Sequence, residues 1–209
     1  MRGAFLVLEG GDGVGKSTHA ALLAAHLVER GETVVRTREP GGTELGGEIR
    51  EIVLHHRGHV DPRAEALLYA ADRAQHIATV VRPALERGEI VLQDRYIDSS
   101  VAYQGSGREL GADEVRELSM WATRALRPDL VVLLDVDPAE ANRRMTAERG
   151  SLDRLESEAA EFHARVREAF LARAAADPER YLVVDASRPQ DEVAARIRAR
   201  VDELLAIRR

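Results

Sequence analysis

Short runs of apolar residues punctuate the chain at Ala4 to Leu8, Thr33 to Thr37, Glu89 to Gln93, Leu130 to Val136 and Tyr181 to Val184. They are rich in valine, leucine and isoleucine with little alternation, as suits strands buried on both faces of a parallel sheet. Between them the spacing becomes helical. Lys16 to Arg30 puts Ala20, Leu23, Ala24 and Leu27 on one face and stops at Gly31, a residue suited to the left-handed position after a helix. Asp61 to Glu86 carries Leu67, Leu68, Ala71, Ile77 and Val81, with Asp61 as N-cap, Pro62 at the first helical position, and Pro83 predicted to kink or end the helix. Further helices are predicted over Ala112 to Leu126, Pro138 to Glu148, Leu152 to Ala176 and Pro189 to Ile207. The last is capped by Ser187 and striped by Val193, Ile197, Val201 and Leu204. Gly41 to Gly47 and Gly105 to Gly111 read as loops. Strands alternating with helices imply right-handed crossovers and a doubly wound α/β sheet of five parallel strands in a single domain, with ligands bound at the strand ends.

Composition narrows the chemistry. The 209 residues include no cysteine, which excludes disulfide scaffolds, thiolate metal sites and cysteine nucleophiles. A net charge of −6, with arginines interleaved among acids, argues against a nucleic-acid or anionic-membrane surface, so any bound anion must be held locally. No apolar run approaches the roughly 20 residues needed to cross a bilayer, and Met1-Arg2-Gly3 leads into the first run without a signal-peptide pattern. The chain reads as soluble and cytoplasmic.

The first predicted strand runs into Gly10-Gly11-Asp12-Gly13-Val14-Gly15-Lys16-Ser17-Thr18, which satisfies G-x-x-x-x-G-K-[ST] in the strand-to-helix setting the motif requires. The glycines let successive N–H groups face phosphate oxygens, and the helix adds its positive end. Lys16 would neutralise charge on the β and γ phosphates, and the Ser17 hydroxyl would ligate Mg²⁺. Of 30 basic residues, Lys16 is the single lysine. A compact ammonium fits a closed loop where a guanidinium does not. Its singularity also excludes guanine-specific GTPases, which read their base through N-K-x-D, and protein kinases, which need a lysine on a separate strand.

The third apolar run ends in Asp94-Arg95-Tyr96. Asp94 is placed to hold Mg²⁺ through water or to orient an acceptor phosphate, or else to cap a helix or pair with Arg95; Asp135 competes for the metal role. Asp137, directly before Pro138, reads as an N-cap. Arg95 could grip a phosphate bidentately. Tyr69 and Arg73, four residues apart, share a helix face on which a base could stack and be hydrogen-bonded. His55, His56 and His59 lack the carboxylate or cysteine pattern of a metal site and read as surface positions.

These segments, taken in order with Arg38-Glu39-Pro40-Gly41-Gly42-Thr43, Tyr69 through His76, Ser99-Ser100, Tyr103-Gln104-Gly105 and Leu152-Asp153-Arg154-Leu155-Glu156, resemble the bacterial thymidylate kinase family over nearly the whole chain. The resemblance implies Mg²⁺-dependent transfer of the ATP γ-phosphoryl group to dTMP, and a homodimer. It assigns Tyr69 to stacking on thymine, Arg73 to hydrogen-bonding the base, and Ser100 to reading the pyrimidine edge. Tyr103, with Gln104 beside it, would crowd the sugar 2′ position. Arg95 and Asp12 would sit at the acceptor phosphate, with Arg38 and Glu39 lining the same cleft. Relatives supply a catalytic arginine from inside the phosphate loop or from a lid. Asp12, Gly13 and Val14 offer none, which points to a lid over about 143–155, with Arg149 and Arg154 as the cations reaching ATP and Arg144 in reserve. Rival readings are a kinase for another deoxynucleotide or a deoxynucleoside, and a slow ATP-hydrolysing switch.

Overall fold

The computed structural model describes residues 3–148 and 153–208. Among them, strands β1 (Phe5–Glu9), β2 (Val34–Arg38), β3 (Ile90–Asp94), β4 (Leu130–Asp135) and β5 (Tyr181–Asp185) form one sheet in the order β2-β3-β1-β4-β5. Every pairing is parallel, with Leu8 beside Asp94 and Val131 beside Tyr181. The central strands β1, β3 and β4 are buried along almost their whole length, which explains their unbroken apolar runs. Helices cover both faces. Leu6, Leu8, Leu92 and Val132 pack on the side of α1 (Lys16–Glu29) with Leu23 and Leu27, whereas Phe5, Val7, Val91 and Val131 face the opposite layer with Ile77, Leu85 and Ile97.

Several helix boundaries follow the local chemistry read from the sequence. Asp61 Oδ1 accepts the Arg63 and Ala64 N–H groups at the start of α3 (Pro62–His76). Asp137 Oδ1 accepts the Ala139 N–H at the start of α7 (Pro138–Glu148), and Gly31, at φ +82°, ends α1. Ser187 does not cap α9 (Gln190–Arg208): its hydroxyl is turned onto Asp185 Oδ1 at 2.5 Å.

Elsewhere backbone irregularity overrides the pattern. Gly41 to Gly47 is only in part a loop, since α2 (Glu44–His55) begins there under a Thr43 cap that accepts the Gly46 N–H at 2.9 Å. Gly46 is a packing requirement: a Cβ there would stand 2.3 Å from Asp72 Oδ1 on α3. Pro83 does not break the helix. A π-helical turn over Ile77–Val81 widens the spiral, with the Arg82 N–H donating to Ile77 O, before α4 (Arg82–Glu86). A second π turn, Val101–Gly107, follows α5 (Ile97–Ser100) where the sequence suggests only a turn. Helix α6 (Ala112–Ala122) ends four residues early, ahead of left-handed Arg124 and Ala125. Of the predicted Leu152 to Ala176 helix, whose first residue lies outside the described ones, the described residues form only α8 (Ala160–Ala176). Asp153 Oδ1 captures the Leu155 and Glu156 N–H groups while Glu156 Oε2 captures that of Asp153, closing an isolated turn. Among the described residues no helix is long and apolar enough to cross a membrane.

Candidate active site

The phosphate loop leaves β1 and enters α1. Gly10 and Gly13 have positive φ, and a Cβ on Gly13 would lie 2.5 Å from Ala141 O and 2.6 Å from Met145 Cγ, so the loop closes tightly against α7. Gly15, also left-handed, precedes α1 with no side-chain cap, leaving the first N–H groups of that helix for an anion. Lys16 Nζ donates to Gly10 O at 3.1 Å and Gly11 O at 2.5 Å. Burial, then the charge of Arg95, lowers its pKa from 10.5 to about 8 against the opposing pull of Asp94, Asp12 and Glu9. Loop residues Asp12 to Thr18 line a wide cleft of about 510 Å³ that also takes in Arg38, Asp94, Arg95, Arg144 and Arg188.

Asp94 ends β3 directly opposite this helix. Its Oδ2 lies 3.4 Å from Ser17 Oγ, and its Oδ1 is buried without a hydrogen-bond partner. A hydroxyl and an unsatisfied carboxylate oxygen are hard donors suited to Mg²⁺. Among the described residues no group of three or more His, Cys, Asp or Glu side chains that could hold a metal occurs. Asp135 is instead engaged by Arg167 at 2.7 and 2.9 Å.

A narrower cavity adjoins this cleft. Asp12, Glu39, Tyr69, Arg73, Arg95, Ser100, Tyr103 and Gln104 line it together. Arg73 is buried, donating through Nε to Glu39 at 2.7 Å, through Nη1 to Ser119, and through Nη2 to Tyr96 O and Ser100 Oγ. Glu39 spends its other oxygen on His76 Nδ1 at 2.9 Å, so it addresses the cavity by fixing Arg73. Gln104 Nε2 donates to buried Glu65 at 2.8 Å, which orients the amide and leaves Oε1 without a partner. Tyr103 is wedged between Phe162 and Phe170 and donates its hydroxyl to Asp12.

Arg95 joins the two spaces. At φ +65°, its backbone turns the guanidinium back over the loop, where it reaches Gly10 O, Ser99 Oγ, Tyr103 Oη and, at 2.5 Å, Asp12 Oδ1. Burial would raise the Asp12 pKa, but Arg95 and Lys16 outweigh it and hold the carboxyl well below the usual range. Arg50, on the helix α2 that the glycines concealed in the sequence, borders both spaces and donates to Pro40 O. Thr43 as a cap with Ile49 and Val53 one turn apart is the signal by which it could have been found. Ser99 and Leu54 were likewise missed as lining residues. Arg38 lines the phosphate cleft and is exposed.

The arginines that the sequence reading places in a lid divide. Arg149 lies outside the described residues. Arg154 is turned away from the phosphate loop, its Nε on Val53 O and its Nη2 on Glu65. Arg144 stands at the rim of the phosphate cleft, paired with Glu140 and Ala186 O. His55, His56 and His59 are exposed.

The sequence model of the family described as thymidylate kinase matches residues 8–197. The thymidylate kinase of Clavibacter michiganensis subsp. michiganensis is 67 % identical over 206 residues, covering 99 % of this chain and 98 % of the relative. That of Leifsonia xyli subsp. xyli is 69 % identical, covering 96 % and 95 %. That of Deinococcus radiodurans is 52 % identical, covering 97 % and 98 %. With matches of this extent over the same sheet and phosphate loop, the chain belongs to the thymidylate kinase family.

Proposed function

We infer that the protein is an ATP-dependent phosphotransferase that converts dTMP to dTDP, acting in the cytoplasm as a single-domain kinase with a lid over about 143–155. The observation that carries the reading is Arg95, which touches both the phosphate loop at Gly10 and Asp12 and the acceptor side at Ser99 and Tyr103. A guanidinium in that position can hold an acceptor phosphate in line with the donor γ-phosphate, and phosphoryl transfer depends mainly on such positioning and charge stabilisation.

The attacking group is an acceptor phosphate oxygen, already ionised near neutral pH, so no general base is required. Asp12, kept ionised by Arg95 and Lys16, orients Arg95 and Tyr103 and does not accept a proton from substrate. Lys16 and the N–H groups at the start of α1 hold the donor phosphates, Arg38 adds positive charge along the phosphate cleft, and Arg50 adds it where the two spaces meet. Ser17 and Asp94 are the residues that would hold Mg²⁺, which supplies charge neutralisation on the β and γ phosphates. Tyr69 offers its ring to the base. Gln104 Oε1 suits a ring N–H, which thymine carries at N3 and cytosine lacks. Lid arginine Arg149 supplies transition-state charge, whereas Arg154, held by Val53 O and Glu65, does not take that role.

A homodimer is supported by exposed Leu67 on α3 and Trp121 on α6, the latter 79 % exposed. Incubation with γ-labelled ATP, Mg²⁺ and dTMP tests the activity: label should appear in dTDP, and label released only as inorganic phosphate contradicts the reading in favour of a hydrolytic switch.

A further inference from the structure

Glu9, the last residue of β1, is a carboxylate with 1 % exposure, and it borders neither the phosphate cleft nor the acceptor cavity. Among the described residues no cationic side chain is hydrogen-bonded to it. Its Oε1 accepts the backbone N–H groups of Tyr96 at 2.8 Å and Ser99 at 3.2 Å, and its Oε2 accepts the Ser99 hydroxyl at 2.6 Å. Burying a carboxylate is costly: burial, and then the charge of Asp98, raise the Glu9 pKa from 4.5 to about 7, and the cost is offset only in part by three donors that all belong to the segment just after Arg95.

That segment has an unusual course. The Arg95 backbone is left-handed, pinned by its N–H to Leu8 O at 3.0 Å and by its carbonyl to the Gln93 side-chain amide at 2.9 Å. The turn directs the next N–H groups towards Glu9. Once its proton is committed to Glu9, the Ser99 oxygen presents lone pairs to Arg95, whose Nη1 it accepts at 3.0 Å. The same Nη1 donates to Gly10 O, the carbonyl that follows Glu9 in the chain. A closed ring of bonds therefore runs from Glu9 through Ser99 and Arg95 back to the first glycine of the phosphate loop.

We propose that Glu9 is the positioning residue of Arg95: by fixing the direction of the Ser99 hydroxyl and the turn at Tyr96, it sets the guanidinium between donor and acceptor phosphates. A glutamine at this place can still accept the two backbone N–H groups, but its amide nitrogen donates to Ser99 and leaves the hydroxyl proton to compete with Arg95. The inference rests on the phosphoryl-transfer reading, and the test separates the two.

The test compares wild type, Glu9→Gln, Arg95→Lys and the double variant by dTMP-dependent ADP release with Mg-ATP, and by calorimetric dTMP affinity. Glu9→Gln should lower kcat/KM for dTMP by about tenfold or more while the KM for ATP stays within about twofold. On the Arg95→Lys background, where the guanidinium bond to Ser99 is already gone, the further loss should be less than about twofold. Equal losses on both backgrounds, or no loss in Glu9→Gln alone, would overturn the proposal. dTMP binding that weakens in Glu9→Gln but not on the Arg95→Lys background, with no dTMP-dependent turnover in any protein, would support the positioning role and overturn the functional reading. Should Glu9→Gln fail to fold, Ser99→Ala removes the same link and leaves Glu9 its Tyr96 N–H and Ser99 N–H bonds; the same split between dTMP and ATP parameters is expected, and its absence contradicts the proposal.

Discussion

Tyr103 donates its hydroxyl proton to Asp12 Oδ2 across 2.7 Å, while Asp12 Oδ1 takes the Arg95 guanidinium at 2.5 Å. The aromatic ring proposed to border the sugar is thus tied to the arginine proposed to hold the acceptor phosphate, and the two proposed functions of Tyr103 can be separated. Tyr103→Phe keeps the ring between Phe162 and Phe170 and should retain discrimination against the ribonucleotide, with kcat/KM for dTMP lowered about fivefold by loss of the bond to Asp12. Tyr103→Ala opens the wall, and selectivity for deoxyribose over ribose should relax by about tenfold. The ratio of kcat/KM for dTMP and ribothymidine monophosphate measures both.

Glu39 carries a structural load as well as a directing one. Its side chain, 2 % exposed, is shared between Arg73 and His76. Glu39→Gln removes the charge that balances buried Arg73 and should destabilise the fold by about 3 kcal/mol, seen as a fall of roughly 10 °C in thermal midpoint. The KM for dTMP should rise with it, because Arg73 loses the partner that aims it.

The buried ammonium of Lys16 makes nucleotide binding sensitive to pH. Its pKa is about 8 in the folded protein against 10.5 for a free side chain, so the charged form is disfavoured by burial. Below pH 8 the protein bears this cost, a gap worth about 3 kcal/mol, which is relieved as pH rises from 8 towards 10.5. Lys16→Met should therefore raise the thermal midpoint at pH 7 while abolishing turnover, and Lys16→Arg should abolish turnover because the planar group does not fit the loop. Donor phosphates favour the charged form. Calorimetry of ATP binding at pH 8.5 in buffers of different ionisation enthalpy should register proton uptake in wild type and none from this group in Lys16→Met.

The two lid arginines should part company in kinetics. Arg154→Ala leaves buried Glu65, among the described residues, with Gln104 and Arg108, and the consequence should be a raised KM for dTMP through the displaced Gln104 amide. Arg149→Ala should lower kcat by about a hundredfold with little change in nucleotide affinity. Wild-type turnover in Arg149→Ala would remove that residue from the mechanism.

Much of this architecture is legible in the sequence because its signals are local. A parallel strand buried on both faces must be apolar throughout, and a phosphate loop must pair its glycines with Lys16 and Ser17; both leave marks in consecutive residues. The register of the strands then brings Asp94 beside Leu8 and so opposite the loop. What the sequence conceals depends on contacts between distant segments. Gly46 looks like a loop residue until Asp72 is seen packed against it, and Arg50 is hidden with it. Arg154 looks like a lid cation until Glu65, 89 positions away, is found to hold it. The π turn at Val101–Gly107, which presents Tyr103 and Gln104, breaks the helical period by which a helix is recognised.

Thymidine and dTMP differ only by the phosphate that Arg95, oriented by Asp12, is proposed to hold, and this makes them the decisive pair of acceptors. A coupled assay of ADP release with Mg-ATP, run across dTMP, dUMP, dCMP, AMP and thymidine, should show strong stimulation by dTMP and none by thymidine. Stimulation by thymidine without stimulation by dTMP would contradict the account.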